Sequence, residues 1–152
     1  MSKAYLKSPI GILEIVASEN GICEINFVDK FEKVVVKDEN LKLCLDELEA
    51  YFKGELKKFS VRLDIKTTKF RAKIYENLQK VPYGETTTYA ALALAAGHKN
   101  AYRAAGSANA KNPVPIIIPC HRVLASSGLG GYSGGDGLPT KIWLLEHEAK
   151  HK

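Results

Sequence analysis

The strongest constraint on how this chain can fold is the dipeptide Asn20-Gly21, set between two runs, ILEIVAS and ICEINF, in which apolar and polar residues alternate. Alternation with a period of two marks a half-buried strand, and Asn-Gly readily adopts the left-handed backbone of a two-residue hairpin turn. An antiparallel hairpin is therefore expected over residues 12–27. The period then lengthens. In LKLCLDELEAYF, the residues Leu41, Cys44, Leu45, Leu48 and Phe52 share one helical stripe, and Gly54 follows as a stop. FSVRLDI alternates again, with Phe59, Val61, Leu63 and Ile65 on one side, which predicts a further strand.

This pattern absorbs two of the three cysteines. Cys44 lies on the apolar stripe of its helix, and Cys23 shares a strand face with Ile25 and Phe27. Free cysteine packs as a small hydrophobe, so both read as structural. Cys120 is left over, at the end of the proline-bounded apolar run VPIIIPCHRV.

At 152 residues the chain can bury a core without disulfides, as one domain or two small lobes. An odd number of cysteines without paired spacing argues against a disulfide framework and for a reducing compartment. The apolar stretch IGILEIVA is interrupted by Glu14 and is too short to span a bilayer or to act as a secretory signal. A cytoplasmic protein without membrane association is expected.

Charge is distributed unevenly. Residues 1–67 hold 11 Lys+Arg against 12 Asp+Glu, whereas residues 68–152 hold 11 against 5. No acidic residue falls between Glu85 and Asp136, a stretch that contains Lys99, Arg103, Lys111 and Arg122. Such a stretch is either a solvated basic face or the footprint of an anionic partner, most simply nucleic acid.

Composition also changes near IKTTKF, which places a lobe boundary between residues 1–67 and 68–152. TTKFRAKIYENLQKV reads as a helix capped by Thr67 or Thr68 and ending before Pro82. Two short helices follow, Thr88 to Ala96 and about Asn100 to Ala110, joined at Gly97 and ended by Asn112-Pro113. Together they outline a helix-turn-helix. The second, AYRAAGSANA, consists almost entirely of small residues, with Arg103 as its one charge. It can lie close against a neighbouring helix, or enter a nucleic-acid groove with Arg103 as a probe.

A nucleophilic cysteine needs its thiolate, and hence a nearby base or positive charge. His121 follows Cys120 directly. Adjacent side chains of an extended strand point apart, so a turn after Pro119 or an intervening water is required to connect the two. Glu146 or Glu148 of the C-terminal helix PTKIWLLEHEAK could orient the histidine, and helical periodicity leaves both open. No metal is expected: there is no CxxC, and His98, His147 and His151 form no ligand spacing with Cys120. The loop SSGLGGYSGGDG carries six of the twelve glycines but neither phosphate-loop nor dinucleotide spacing. It reads as a linker, or as a lid that closes over a ligand through Tyr132 and Ser133.

PCHRV, preceded by NPVPIII and followed by SSGLGGYSGG and WLLEHE, resembles the O6-alkylguanine-DNA alkyltransferases, also called methylated-DNA–protein-cysteine methyltransferases. The likeness runs from about Phe70 to Lys150, and the first 67 residues resemble the family's strand-rich lobe in outline. It implies an α+β fold: a small antiparallel-sheet lobe with a helix, ribonuclease-H-like in outline, then a mostly helical lobe with the helix-turn-helix and the PCHRV segment. It also implies DNA repair by direct reversal, in which Cys120 takes the alkyl group from guanine O6 once and permanently. His121 acts as base through a water. The family spacing of two leucines, two residues and Glu selects Glu148 as the residue that holds it. Asn112 resembles the hinge between the helix-turn-helix and the active-site segment, and Tyr89 the tyrosine that assists the departing base. Tyr132, Ser133, Val123 and Asn109 are implied at the base pocket, with Ser133 donating to O6. Asn109 is polar where some members carry an apolar residue. Arg103 resembles the arginine that fills the gap left by a flipped nucleotide. Ala104, Gly106, Ser107, Lys111, Arg122 and Tyr89 are the further DNA contacts implied, in the minor groove. The implied partner is double-stranded DNA containing O6-alkylguanine, bound by a monomer without a cofactor.

Three rival readings compete. A binding-only relative lacks the cysteine that this chain has. A helix-turn-helix regulator with a redox-sensing Cys120 would explain the basic half without an alkyl substrate. A cysteine hydrolase is disfavoured by the absence of an evident oxyanion-binding element.

Overall fold

The hairpin forms where expected, but its two loop residues are Glu19 and Asn20, and Gly21 opens the second strand at φ +155°. β2 (Gly11–Ser18) and β3 (Gly21–Val28) pair antiparallel, with Ser18 opposite Gly21 and Ile15 opposite Ile25. The structure is a computed structural model describing residues 1–152, and its contacts divide it into two units, Met1–Ile65 and Lys66–Lys150. It adds a strand that the alternation did not single out. β1 (Ser2–Ser8) pairs with β2, giving a three-stranded sheet in the order β1-β2-β3.

The register shifts once, at Val16/Ala17: Ala17 faces Ile22 and Val16 faces Glu24. Cys23 is the extra residue of that bulge. It is therefore half-buried instead of sharing the core face, and Ile22 enters the core in its place. α1 (Glu39–Phe52), capped by Asp38, packs its stripe of Leu41, Cys44, Leu48 and Tyr51 against the sheet.

The strand expected over residues 59–65 does not form. Its backbone meets β3 only at the bridge between Ile22 and Leu63. The reason is a competing acceptor: the Glu47 carboxylate of α1 takes the N–H groups of Ser60 and Val61, at 3.0 and 2.9 Å to Oε1, which a ladder would otherwise use.

In the second unit, α2 (Lys69–Leu78) is capped by Thr68, not Thr67, and buries Ile74, Tyr75 and Leu78. β4 (Thr87–Thr88) leads into α3 (Tyr89–Ala95), capped by Thr88, and α4 (Tyr102–Ala110) follows. Gly97 takes φ +83° at the turn between these two helices. Asn100 also lies at φ +71°, which a right-handed helix excludes, so α4 starts two residues later than its composition suggests. Small residues serve the close packing weighed for α4 and leave its other side open. Ala105 and Ala108 are fully buried where it meets α2 and α3, while Arg103, Ala104, Ser107 and Ala110 are exposed. Tyr75 Oη donates to Ala108 O at 2.9 Å and fixes α4 on α2.

After α4 the chain makes a 3₁₀ turn at Cys120–Arg122, then β5 (Val123–Leu124), which pairs parallel with β4. α5 (Leu138–Lys150) closes the unit. No helix is long and apolar enough to cross a membrane.

Candidate active site

The turn required after Pro119 is present. Arg122 N donates to Pro119 O at 3.0 Å, so Cys120, His121 and Arg122 splay around a 3₁₀ axis instead of alternating along a strand. Upstream, Asn112 holds the approach. Its Oδ1 accepts from Val114 N at 3.0 Å and its Nδ2 donates to Ile118 O at 2.7 Å, closing the loop that ends at the cysteine. Ile116, within that loop, is buried at φ +76°, a conformation costly for a β-branched residue.

α5 brings Glu148 to the turn. His121 Nε2 lies 2.6 Å from Glu148 Oε2, with both side chains excluded from solvent. Glu148 Oε1 also accepts from Arg122 Nε at 2.8 Å and from Gly84 N at 3.2 Å, and Arg122 Nη2 reaches Oε2 at 3.0 Å. Burial alone would raise the Glu148 carboxyl. His121 and Arg122 outweigh it and hold Glu148 well below the usual carboxylate range. For His121, burial lowers the pKa and Glu148 opposes it only in part, since Arg122 shares the same carboxylate. The histidine is therefore neutral at rest. Glu148 keeps the ring proton on Nε2, so that Nδ1, which has no protein partner, is the basic nitrogen. Glu146, the alternative that periodicity left open, is exposed.

Cys120 is 5% exposed. Burial pushes its thiol pKa up, while the Asn112 amide, the local backbone, the Lys141 ammonium and the Tyr132 hydroxyl each act in the opposite direction. A cavity of about 270 Å³ lies in the same unit, linked to Cys120 through Asn109. Its walls are Gly106, Asn109 and Ala110 of α4, Tyr89 of α3, and Gly131, Tyr132 and Ser133 of the glycine-rich loop. Asn109 Nδ2 donates to Cys120 O at 3.2 Å and so ties this wall to the nucleophile.

Two family descriptions match the chain. The 6-O-methylguanine DNA methyltransferase ribonuclease-like domain covers residues 1–65, and the DNA binding domain of the same methyltransferase covers residues 69–150. The chain belongs to the 6-O-methylguanine DNA methyltransferase family. Among its relatives, the methylated-DNA–protein-cysteine methyltransferase of Methanosarcina acetivorans is 41% identical, covering 97% of this chain and 98% of that one. The enzyme of the same name from Mycobacterium leprae is 40% identical over 97% and 91%. The Mycobacterium tuberculosis O6-methylguanine methyltransferase superposes with a TM-score of 0.86 at 35% identity, over 99% of this chain and 93% of that one. Mycobacterium tuberculosis OGT in complex with DNA superposes at 0.87 with 37% identity, over 98% and 93%.

Within this methyltransferase, five of the residues singled out from sequence, Tyr89, Gly106, Asn109, Tyr132 and Ser133, line the cavity, and two placements, Arg122 and Val123, need correction. Arg122 does not lie on a DNA face: it is buried, bidentate to Glu148, and its Nη1 donates to Val81 O at 2.7 Å. Three of its five N–H groups are thus spent inside the fold, on a side chain almost wholly withdrawn from solvent. Val123 does not line the cavity; its side chain is fully buried in β5. Ser133 lines the cavity, but its Oγ donates to Ala110 O at 2.7 Å, which ties the loop to the end of α4 instead of aiming that proton at a base. Gly106 lies on the cavity wall, where a Cβ would meet the Tyr89 ring at 3.7 Å. Arg103, Ala104, Ser107 and Lys111 are exposed along one side of α4 and its end, as a groove-binding surface requires.

The family's methyltransferase motifs did not point to Lys141, to Gly84, whose N–H donates to Glu148, or to Val81, whose carbonyl accepts from Arg122. A signal for Lys141 existed, since it shares the face of α5 that carries Leu144 and Glu148, both buried.

Proposed function

We propose that this chain repairs alkylated DNA by direct reversal, with Cys120 as the permanent acceptor of a methyl or larger alkyl group from O6 of guanine. The observation that carries the reading is the buried series Cys120–His121–Glu148 placed behind a cavity large enough for one base. A base stacked in a duplex cannot reach this position, so the damaged nucleotide must be extruded, at an unstacking cost of roughly a few kcal/mol.

In the transfer, the Cys120 sulfur attacks the alkyl carbon in line with the C–O6 bond. A carbon–sulfur bond forms, the carbon–oxygen bond breaks, and its electron pair stays on guanine. The thiol proton passes through water to Nδ1 of neutral His121, and Glu148 stabilises the imidazolium that results. Tyr89, half-buried on the cavity wall with its hydroxyl protonated, is placed to donate to the departing base. Burial raises its pKa, against the Gly131 N–H. Asn112 holds the cysteine loop, and Tyr132 with Ser133 forms the lid.

DNA is held by the exposed side of α4. Arg103 fills the place of the flipped nucleotide, Lys111 contacts phosphate, and Ala104 and Ser107 permit close approach. The three free cysteines support a protein of the reducing cytoplasm.

The test is intact-mass spectrometry after incubation with duplex DNA containing O6-methylguanine. The protein should gain one methyl mass, mapped to Cys120, and product should never exceed protein, because a thioether has no thiol-exchange route back. Repeated turnover, or oxidation of Cys120 without methyl gain, would overturn the reading.

A further inference from the structure

Lys141 is fully buried, on the inner face of α5. Its Nζ donates to Val123 O at 2.6 Å, to Gly131 O at 3.1 Å and to Leu129 O, so all three ammonium protons are used on main-chain carbonyls. Its ammonium is met by main-chain carbonyls and by no carboxylate. A buried cation without a counter-anion is expensive, and a Met or Leu of similar volume would fill the space without that penalty.

The three acceptors indicate what the cation does. Val123 belongs to the strand that leaves the cysteine turn, whereas Leu129 and Gly131 belong to the glycine-rich loop that walls the cavity. Gly130 lies between the last two at φ +72°, which turns the backbone so that carbonyls on either side of it reach one ammonium. A Cβ at Gly130 would also stand 3.0 Å from the Tyr89 hydroxyl. The loop has no helix or strand of its own, and Ser133 Oγ donating to Ala110 O and Asp136 N donating to Thr140 Oγ1 are further side-chain ties, neither of which reaches the strand that follows Cys120.

We propose that Lys141 is a positioning residue of the transfer site: its ammonium straps the glycine-rich loop to the strand that follows Cys120, setting the walls of the base cavity and placing a fixed positive charge beside the nucleophile. The proposal rests on the alkyl-transfer reading above. The electrostatics agree with it. The Cys120 thiolate is the ionisable group that favours the charged form of Lys141, against the burial that disfavours it, and Lys141 in turn lowers the Cys120 pKa. The other titratable groups facing Cys120 are Tyr75 from α2, Tyr89 from α3, Tyr132 from the loop and the neighbouring His121. Both Tyr75 and Tyr89 are held protonated by burial. Lys141 is thus the one permanent positive charge of the set.

The experiment compares wild type with Lys141→Met, Lys141→Gln and Lys141→Arg, using free-base O6-benzylguanine as the probe, since it requires no DNA binding. Transfer rates are measured against pH, with limited proteolysis over residues 125–135 and thermal unfolding as a check of the fold. Lys141→Gln and Lys141→Met are expected to react at least tenfold more slowly at neutral pH, with the rising limb of the profile displaced to higher pH and with faster cleavage in the loop. Lys141→Arg should restore part of the pH profile. Reduced thermal stability with an unmoved pH profile would mean a purely structural lysine and overturns the proposal. Should the uncharged variants not fold, the wild type itself decides. ¹⁵N-lysine spectra are expected to show one slowly exchanging ammonium whose resonance moves when Cys120 is benzylated. Its absence, or its indifference to benzylation, overturns the proposal. Failure of wild type to gain the benzyl mass at all would instead refute the alkyl-transfer reading.

Discussion

His121 and Arg122, adjacent in the chain, grip the same carboxylate: Nε2 of the histidine stands 2.6 Å from Glu148 Oε2, and the guanidinium reaches both oxygens at 2.8 and 3.0 Å. A 3₁₀ turn makes this possible, because in a strand the two side chains would point to opposite sides. Burial holds the imidazole neutral, and Arg122 beside the same carboxylate keeps Glu148 from reversing that.

Glu148→Gln should therefore slow alkyl transfer and destabilise the fold together. Replacing the carboxylate leaves Arg122 as a buried unpaired cation, a change that typically costs about 3–5 kcal/mol. Glu146→Gln, at an exposed position, should leave rate and unfolding midpoint unchanged. Denaturant unfolding and single-turnover rates check both. A rate defect confined to Glu146→Gln would reverse the assignment.

Stability should fall in two steps as pH drops. His121 titrates below its ordinary 6.5 in the folded state, so the stability it contributes is complete above that value and is lost as the unfolded chain takes up the proton first. Glu148 titrates below its ordinary 4.5, so its contribution is complete above that value and is lost as pH falls toward the folded-state value. Unfolding midpoints measured from pH 8 to 3 should decline from about pH 6.5 and more steeply below about 4.5. Glu148→Gln should remove most of the second decline.

Arg122 and Lys111 should separate fold from DNA binding. Arg122→Ala is expected to cost about 3–5 kcal/mol of stability and to leave the salt dependence of duplex binding in the folded protein unchanged. Lys111→Ala should leave stability unchanged and reduce the slope of log affinity against log salt by about one. Equal salt slopes for Lys111→Ala and wild type would remove Lys111 from the DNA face.

Arg103→Ala should separate flipping from chemistry. With the gap left by the nucleotide unfilled, repair of O6-methylguanine in duplex DNA should slow by roughly tenfold or more, the equivalent of about 1.4 kcal/mol of the extrusion cost. Reaction with a free-base alkylguanine should be unchanged. Equal losses on both substrates would place Arg103 in the fold or the cavity.

The sequence by itself determined what depends on near neighbours in the chain. The hairpin of the first two alternating runs, the helical stripe through Cys44 and Leu48, and the two helices about Gly97 all follow from periodicity and local backbone preference, and all are present, the hairpin turning one residue earlier, on Glu19-Asn20. The motifs around PCHRV also singled out Cys120 and His121, because a resemblance carried by several ordered motifs needs no geometry. Only the tertiary structure decided matters in which distant groups compete for one partner. The strand expected over residues 59–65 was lost to the Glu47 carboxylate, a helix residue no local pattern connects to Ser60 and Val61. Arg122 looked like one more basic residue until Glu148, 26 positions away, claimed it. Lys141 took its meaning from carbonyls 10 to 18 positions away, on two segments the chain brings together only when folded. Period and turn residues act within a few residues of themselves, whereas a buried charge is satisfied by whichever donors and acceptors folding places around it.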